Sequence, residues 1–415
     1  MTGAAYDLAV IGGGAAGLAG AAMAHDHDMD VLLIEADRRL GGIPLQCIHP
    51  GFGLTYYGED LTGPEFAERL ATRVTQRDVD VLTGAHVTNL RVQPDGRKQI
   101  VMITSDGVRE TTAACILYAA GARERHRHET AIVGDRPAGV FTAGEAQTLM
   151  DIDGALPGRS AVIVGSGDIG LIMARRLALE GATVKAVIEM LPYPGGLTRN
   201  VVQCLHDYDI PLHTGRMVTA IHGSDRVTAV ETIGVTPGME TVPGTARRIE
   251  CDTVALATGL IPNITRLQDL AVDIDEKTRG PVVNDCLETT QPGVFTAGNA
   301  LAINDYVDAA ARQGERAAVG ASLFLKHGHI PAGTWHPVHR GRNVRFVLPQ
   351  RVSGQRPVTL YLRVQRPEPR AVVRLPDIDV ELPRQGVTPG EMLTVELEPD
   401  MLAGLQGALT VEVAR

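Results

Sequence analysis

The chain has 415 residues, of which 44% are hydrophobic, enough for the packed cores of two or three domains of roughly 150 residues each. Its formal net charge is −10, which argues against non-specific binding to nucleic acid. Five cysteines are present, an odd number with no Cys-x-x-Cys pair, so neither a disulfide scaffold nor a zinc site is expected. This cysteine usage predicts a protein of the reducing cytoplasm. No signal peptide is predicted, because the apolar run over residues 8–23 has no basic flank.

The first distinctive stretch is an apolar strand, a Gly-x-Gly-x-x-Gly turn, a small-residue helix over residues 18–25 and a second apolar strand. Gly12 permits the tight turn, Gly14 lets the backbone approach a pyrophosphate, and Gly17 lets the helix pack closely on the strand. The helix N-terminus presents N–H groups and a positive dipole end to phosphate. Glu35 ends the second strand 18 residues after Gly17, close to the roughly 20 expected for a carboxylate that accepts from ribose hydroxyls. The pattern predicts a dinucleotide-binding fold.

A glycine- and proline-rich loop over residues 41–53 follows, and then a short amphipathic helix over 65–73. Alternating apolar residues predict a series of strands, with hairpin turns at residues 95–96 and 106–107 because Asp-Gly favours tight turns. The predicted strands cover residues 79–82, 86–92, 99–104, 108–112 and 115–121.

The second part of the chain repeats the first. A strand over residues 161–164 leads into a second Gly-x-Gly-x-x-Gly turn, a helix over 171–180 and a strand over 183–188 that ends in Glu189. A duplicated unit with both phosphate motifs intact is a far stronger signal than one motif. The predicted nucleotide contacts of this second fold are Gly165, Gly167, Asp168, Ile169, Gly170, Glu189 and Gly259.

The phrase Gly-Val-Phe-Thr-Ala-Gly occurs twice, at residues 139–144 and 293–298. The first copy predicts a turn into a helix, and the second a strand and turn before a long helix over residues 305–326. Asp305 is expected to cap that helix, with Asp308 at its third position. From residue 331 onward, alternating strands at 344–348, 358–364, 371–375, 392–397 and 409–413 predict a small all-β sandwich.

The arrangement of residues 5–328 resembles the pyridine nucleotide–disulfide oxidoreductases, flavoproteins with two dinucleotide folds. The resemblance implies an α/β fold with two Rossmann-like domains, the NAD domain inserted in the FAD domain, plus the small C-terminal all-β domain. The implied domains are 1–125 and 253–330 for FAD, 126–252 for NAD(P), and 331–415 for the β-rich part. It implies FAD and NAD(H) as cofactors, and it adds further FAD contacts: Ala16, Gly42, Val87, Ala120, Gly121, Gly298, Asn299 and Val307.

Three motifs are similar to those of a subgroup known only as NAD(P)/FAD-dependent oxidoreductases. They are Gly-Gly-Ile-x-x-Gln-Cys-Ile-His-x-Gly-Phe-Gly at residues 41–53, Gly-Ser-Gly-Asp-Ile-Gly-Leu-Ile-Met-Ala-Arg-Arg at 165–176 and Gly-Gly-Leu-Thr-Arg-Asn at 195–200. Members are often encoded beside glycerol-3-phosphate or amine-oxidising flavoprotein subunits, which implies a partner protein in a homo- or hetero-oligomer.

Two departures from the family pattern matter. The family places two cysteines as Cys-x-x-x-x-Cys after the Gly-Gly pair, whereas here only Cys47 is present, with Pro44 and His49 at the expected positions. Dithiol exchange from this segment is therefore not expected. The family also has Asp against the flavin ribityl chain where this chain has Asn299, an amide that can still accept and donate there.

Cys47 and His49 are the candidate catalytic residues, as a thiolate or imidazole that handles protons or a peroxide-level acceptor. The alternative is a packed cysteine and a loop histidine bonded to backbone. Cys115, Cys204 and Cys251 are expected to be core thiols. The His126 and His128 segment, with its arginines, is either a phosphate guide or a solvated basic turn.

Two enzymatic functions remain open, with a nucleotide-dependent binding protein as a third. The first passes hydride from NADH through FAD to an acceptor, namely oxygen, a quinone or a partner protein, without a redox disulfide. The second is an FAD/NAD-binding subunit of a hetero-oligomeric amine or glycerol-3-phosphate dehydrogenase. NADH is expected over NADPH, because Glu189 is followed by four neutral residues where NADP sites place an arginine.

Overall fold

The computed structural model describes residues 5–415 and confirms the predicted α/β class. The described chain forms two compact units: one comprises the chain up to Ala122 together with Pro262–Arg415, and the other is Arg123–Ile261. The C-terminal strands thus share a unit with the first dinucleotide fold, and the predicted domain boundaries after residues 125, 252 and 330 remain a proposal. Among residues 5–415, no helix is long and apolar enough to cross a bilayer.

The first part of the chain alternates strands with two helices. Its strands are β1 (Ala5–Ile11), β2 (Val31–Ile34), β3 (Pro50–Phe52), β4 (Leu61–Thr62), β5 (Asp80–Leu82), β6 (His86–Val92), β7 (Lys98–Thr104) and β8 (Gly107–Tyr118). Its helices are α1 (Ala15–Asp26) and α2 (Gly63–Thr75), with a 3-10 turn at Ile43–Gln46. Helix α1 begins three residues earlier than predicted because Gly14, in extended conformation, is its N-cap.

The second unit contains the duplicated fold. Its strands, including the two at the crossing points between units, are β9 (Ala122–Glu124), β10 (Val133–Gly134), β11 (Val140–Thr142), β12 (Ser160–Val164), β13 (Thr183–Ile188), β14 (Leu212–His213), β15 (Arg216–Gly223), β16 (Val227–Gly234), β17 (Arg247–Glu250), β18 (Thr253–Leu256) and β19 (Leu260–Pro262). Its helices are α3 (Ala143–Asp151), α4 (Asp168–Leu179) and α5 (Thr198–Cys204), with 3-10 turns at Arg127–Glu129 and His206–Tyr208.

The last part returns to the first unit. Its strands are β20 (Val294–Thr296), β21 (His336–Arg340), β22 (Val344–Leu348), β23 (Arg351–Val352), β24 (Val358–Val364), β25 (Ala371–Leu375), β26 (Val380–Arg384), β27 (Leu393–Leu397) and β28 (Leu409–Ala414). Its helices are α6 (Val307–His327) and α7 (Pro399–Leu402), with 3-10 turns at Leu267–Leu270, Gly298–Ala300 and Pro376–Ile378.

The sheet of the first fold has the order β5-β2-β1-β8-β7-β6, and β20 also pairs with β8. Strands β5, β2, β1, β8 and β20 run parallel, whereas β6 and β7 form an antiparallel extension. The prediction of two strands at 108–112 and 115–121 is wrong, because β8 is one continuous strand. Its first half pairs with β7 and its second half with β1, so its exposed and buried halves look like separate strands in the sequence.

Helices α1 and α6 pack against each other at backbone distance. A Cβ on Gly314 would lie 1.9 Å from the carbonyl oxygen of Ala16, and one on Gly20 would lie 3.0 Å from the carbonyl oxygen of Gly314. Real Cβ atoms do not approach backbone this closely, so glycine is required for the two helices to meet. This contact fixes the beginning of α6 beside the beginning of α1.

The duplicated fold has a parallel sheet with the order β11-β18-β12-β13-β14 and a second sheet with the order β10-β15-β16-β17. The predicted turn at residues 139–144 is confirmed, since Thr142 and Glu145 form a capping box that begins α3. Helix α4 also begins three residues earlier than predicted, directly after Gly167. Both copies therefore place a helix N-terminus inside the glycine motif.

The C-terminal strands form two sheets, β23-β21-β28-β25-β26 and β22-β24-β27. One apolar cluster contains residues from both sheets, including Val373, Leu360 and Val395, which confirms the predicted sandwich. The predicted strands appear with shifts of at most one residue at an end. Strands β21, β23 and β26 were not predicted, because proline, histidine and arginine interrupt their apolar alternation.

Candidate cofactor-binding sites

A cavity of about 840 Å³ opens at the N-terminus of α1 and the carboxyl ends of β1 and β2. Most of the predicted FAD contacts line this cavity. They are Gly12, Gly14, Ala16, Glu35, Gly42, Val87, Ala120, Gly121, Gly298, Asn299 and Val307. Gly17 instead lies behind the turn, where a Cβ would be 1.8 Å from the carbonyl oxygen of Gly12. Its role is to let α1 pack on the turn.

The space above α1 fits a pyrophosphate. A Cβ on Gly14 would meet no protein atom within 4 Å, whereas one on Gly12 would lie 2.4 Å from the carbonyl oxygen of Ala119. Gly12 also has a φ of +108°, which L side chains rarely adopt. The turn therefore requires glycine at residue 12 for its own geometry, while the opening at residue 14 leaves the N–H groups of the helix N-terminus accessible to an anion.

The carboxylate of Glu35 lies at the end of β2, where an adenosine ribose is expected in such folds. It is 9% exposed, and it accepts hydrogen bonds from the backbone N–H groups of Gly13 at 2.5 Å and Asp37 at 2.7 Å. A carboxylate offers about four lone-pair sites, so these two bonds fix its orientation and leave acceptor capacity for hydroxyl groups.

A glycine pair after Glu35 forms a second wall over the helix N-terminus. The N–H of Gly41 donates to the carbonyl oxygen of Gly13 at 2.8 Å. A Cβ on Gly42 would lie 3.0 Å from the Cα of Gly14. Both glycines have positive φ angles, +127° and +63°, so this loop can follow the glycine motif closely only without side chains.

The loop from Gly298 to Val307 forms the opposite wall through a polar network that sequence reasoning missed. The buried amide of Gln313 accepts from the N–H of Gly298 and donates to Asn304, each at 3.0 Å. The side-chain oxygen of Asn299 accepts from the N–H of Asn304 at 2.9 Å. The only sequence signal was one glutamine on the largely apolar buried face of α6.

The predicted cap of α6 is wrong. The helix begins at Val307 with Tyr306 at the N-cap position, and the carboxylate of Asp305 instead forms an ion pair with Arg363. The carboxylate also accepts from the N–H of Met392 at 2.6 Å. Arg363 and the N–H of Met392 lie far from Asp305 in the sequence, yet they bind the carboxylate that the local capping rule assigns to the start of α6.

Asp308 is the second residue of α6, not the third, and it is 5% exposed. Its carboxylate accepts from the N–H groups of Gly53 at 2.8 Å and Thr55 at 2.7 Å. An acid in the first turn is stabilised by the helix dipole. Its charge also offsets part of the positive potential at this end of the helix.

Cys47 and His49 lie in different positions relative to the first cavity. Cys47 lines the cavity, and its thiol donates to the carbonyl oxygen of Ile43 at 3.5 Å. His49 is not among the cavity-lining residues; its Nδ1 lies 2.9 Å from the carbonyl oxygen of Pro50, and its ring lies 5.3 Å from that of Phe52. The structure thus brings the thiol to the cavity and gives the imidazole the loop contact of the alternative interpretation.

The other cysteines are buried thiols. Burial raises the pKa of Cys115 and of Cys286 to about 12 and that of Cys251 to about 11. Burial also raises the pKa of Cys204. Thiols with raised pKa values stay protonated at neutral pH and are poor nucleophiles, which confirms the prediction of core thiols for Cys115, Cys204 and Cys251.

A second cavity of about 430 Å³ opens in the duplicated fold. Four predicted contacts line it, namely Gly165, Gly167, Glu189 and Gly259. A Cβ on Gly167 would meet no atom within 4 Å, while one on Gly170 would lie 2.4 Å from the carbonyl oxygen of Gly165. Gly167 is therefore open and Gly170 packed, as Gly14 and Gly17 are in the first fold.

Besides Gly170, two predicted contacts do not line this cavity. Ile169 packs against the apolar cluster under α4. The carboxylate of Asp168 accepts from the N–H of Leu197 at 2.8 Å and from the amide of Asn200 at 2.6 Å. Asp168 thus anchors the start of α5, a role that explains the acid without a nucleotide.

Glu189 is 6% exposed and lies at the end of β13. It accepts from the N–H and hydroxyl groups of Ser166, at 2.9 and 2.6 Å, and from the N–H of Leu191 at 2.9 Å. The same serine oxygen accepts from the N–H of Gly195 at 2.8 Å. A Gly-Gly pair therefore follows each acid by six residues and lies beside each helix N-terminus, a correspondence that sequence reasoning missed.

Two arginines also line the second cavity: Arg125, which belongs to the basic segment around His126 and His128, and Arg216, which sequence reasoning did not assign. The N–H of Arg216 donates to the carbonyl oxygen of Glu189 at 2.9 Å, and its guanidinium donates to the carbonyl oxygen of Thr245 at 2.7 Å. Burial lowers the pKa of Arg216. Arg216 escaped notice because it lies far from Glu189 in the sequence.

The basic turn near the start of this unit bonds largely to itself. The rings of His126 and His128 stack with centroids 5.7 Å apart, and neither residue lines the second cavity. Arg123 forms an ion pair with Glu129 at 2.6 Å, with 49% of the arginine side chain exposed. These contacts suit the solvated-turn interpretation.

The family model described as pyridine nucleotide-disulphide oxidoreductase matches residues 6–314. An opine oxidase subunit of Agrobacterium tumefaciens (strain Ach5) is 25% identical over 77% of this chain and 66% of its own length. An alkyl hydroperoxide reductase subunit of Staphylococcus aureus (strain MSSA476) is 27% identical over 71% of this chain and 54% of its own. The crystal structure of T. acidophilum thioredoxin reductase matches with a TM-score of 0.64 at 23% identity, covering 78% of this chain and 98% of that one.

The chain therefore spans between about half and two thirds of these two curated relatives, while the family model covers most of this chain. The similarity to the solved structure supports the fold assignment. By the family match, this chain belongs to the pyridine nucleotide-disulphide oxidoreductases, enzymes whose members bind FAD and NAD(P)H.

Proposed function

We propose that this protein is an FAD-dependent NADH oxidoreductase that passes electrons to an acceptor without a redox disulfide. The observation that supports it most is the repeated site: each fold has an accessible helix N-terminus after a glycine turn and a backbone-bonded acid at the next strand end. FAD, when bound, accepts a hydride from a reduced nicotinamide and passes electrons onward. The protein supplies the binding geometry and the electrostatics.

The thiol distribution supports the absence of a redox disulfide. Cys47 is the only cysteine among the residues that line the first cavity. The remaining four are at most 5% exposed, and burial raises their pKa values. A dithiol mechanism needs two thiols within bonding distance and a thiolate that can form. Such thiols also suit a reducing compartment, for which we propose the cytoplasm.

The second candidate function is a cofactor-binding component of a hetero-oligomeric dehydrogenase for an amine, an opine-like compound or glycerol-3-phosphate. The similarity to the opine oxidase protein, over 77% of this chain, favours it. In that case the substrate is oxidised in a partner protein, and the second fold is either inactive or passes electrons to NAD+. Reduction of the bound flavin by NADH separates the first candidate from a dehydrogenase component whose second fold is inactive.

The NADH preference rests on the charge of Glu189. Its carboxylate is buried beside a cavity that a ribose can enter, and three hydrogen bonds fix it there. A 2′-phosphate at that position would face a like charge. Arg216 is near, but its guanidinium is already bonded to Thr232 and Thr245. We therefore expect the repulsion to decide the preference.

Replacing Gly14 with valine should abolish FAD retention, because the side chain would fill the open approach to the α1 N-terminus. No protein atom lies within 4 Å of the added Cβ, so the fold should survive. The measurement is the flavin absorbance of the purified protein together with its thermal unfolding. Gly404→Val, at an exposed position with equal room, is the control. A fully yellow Gly14→Val protein contradicts the FAD assignment.

Replacing Cys47 with serine should leave reduction of bound flavin by NADH at the wild-type rate, because no partner thiol follows it in the motif. Reoxidation by an acceptor can change, since the residue lines the cavity. The measurement is anaerobic stopped-flow absorbance of the flavin, and both proteins should lack disulfide reductase activity. Loss of flavin reduction with FAD still bound would refute the proposed route.

Replacing Glu189 with alanine should reduce the preference for NADH, which we expect to be at least about tenfold in the wild type, since like charges in a binding site cost several kcal/mol. The measurement is the anaerobic rate of flavin reduction at a range of NADH and NADPH concentrations. Glu240→Ala, at an exposed acid of the same unit, is the control and should keep the wild-type preference. An unchanged preference in Glu189→Ala, or equal rates in the wild type, would disprove the role of this carboxylate.

A further inference from the structure

The C-terminal sandwich contacts the wall of the first cavity through strand β24. The side chain of Arg363 forms an ion pair with Asp305, and the two side chains are only 11% and 8% exposed. The same guanidinium donates to the carbonyl oxygen of Ile303 at 3.2 Å and to that of Gly390 at 2.8 Å. Arg363 therefore ties the sandwich to the loop that precedes α6.

A second residue of the same strand reaches the same loop from beneath. Tyr361 is 7% exposed, and its ring packs in the core of the first dinucleotide fold with its hydroxyl beside the side chain of Gln313. Gln313 in turn accepts from the N–H of Gly298 and donates to Asn304. Arg363 therefore contacts this loop near its C-terminal end, and Tyr361 packs beside the residue that bonds its N-terminal end.

The alternation along β24 separates the packing of the sandwich from these contacts. The side chains of Leu360 and Leu362 belong to the apolar cluster of the sandwich. Tyr361 belongs instead to the cluster of the first dinucleotide fold. Because side chains alternate between the two faces of a strand, Tyr361 and Arg363 share the face directed at the flavin-binding fold.

The loop that these two residues fix is itself part of the cavity wall. Its lining residues are Gly298, Asn299, Asn304, Asp305, Tyr306 and Val307. Without Arg363, the buried carboxylate of Asp305 would lose its ion-pair partner, and removing one partner of a buried pair destabilises local structure strongly. A change in the sandwich would thus alter the loop that forms the wall of the cofactor site.

We propose that Arg363 and Tyr361 are positioning residues for the cofactor site, through which the C-terminal sandwich shapes the loop that contacts FAD. The identity of the ligand rests on the function proposed above. The sandwich then serves as a structural support for the cofactor site and need not bind a substrate of its own.

The test is the affinity of the full-length apoprotein for FAD, measured by fluorescence titration, together with the visible spectrum of the bound flavin. Arg363→Met should weaken binding by at least about tenfold, as expected when one partner of a buried pair is removed, and should alter the spectrum. Tyr361→Phe, which removes the hydroxyl beside Gln313, should weaken binding about two- to tenfold, the range for one polar contact. Arg363→Lys, which restores the charge, should recover part of the affinity.

The control is Arg374→Met, which removes a solvent-exposed ion pair with Glu381 on the far sheet of the same sandwich and should leave FAD affinity unchanged. Wild-type affinity and an unchanged spectrum in Arg363→Met would overturn the proposal. If that variant is recovered unfolded, Tyr361→Phe decides alone, because it removes only a hydroxyl: unchanged FAD affinity would overturn the proposal and weaker affinity would support it. Failure of the wild type itself to bind FAD would refute the proposed function instead.

Discussion

The first cofactor site depends on backbone contacts around helix α1 that leave no room for side chains. Gly17 packs against the carbonyl of Gly12, and Gly314 of α6 packs against the carbonyl of Ala16, with no space for a Cβ at either glycine. These contacts place the N-terminus of α1 beside the start of α6. The space at Gly14 is open, and that opening admits an anion to the helix N-terminus.

The duplicated fold repeats this constraint and adds a second one. In both copies an acid at a strand end is fixed by backbone N–H groups of the glycine turn, and a Gly-Gly pair six residues later lies beside the helix N-terminus. The two sites differ in size, about 840 and 430 Å³. They also differ in their lining arginines: Arg125 and Arg216 line the second cavity, whereas Arg266 lines the first. The copies have kept the phosphate geometry while their side-chain surroundings have diverged.

Local patterns predicted the fold well, because glycine turns, apolar runs and alternation are local signals. The two helices of the nucleotide folds, the α/β class and most C-terminal strands followed from them. Strand β8 was divided in error, because a strand that changes partners also changes exposure along its length. The ends of such strands depend on the strands that pair with them, and the sequence does not show which strands pair.

The site was less accessible to sequence reasoning where its contacts are long-range. Asp305 follows the rule for a helix cap but bonds Arg363, 58 residues away, and Gln313 supports the cavity wall from inside a helix. Arg216 reaches the second cavity from a strand that begins well after Glu189. Each is a partnership of buried polar groups, and such groups pair with whatever the tertiary structure brings near.

The central claim is that the two sites form one electron-transfer route from NADH to FAD. The most direct measurement is an anaerobic titration of the FAD-loaded protein with NADH, followed by the visible absorbance of the flavin. The account predicts complete bleaching at about one equivalent of NADH, since both cofactors carry two electrons. A protein that retains its FAD and its full colour in excess NADH would contradict the account.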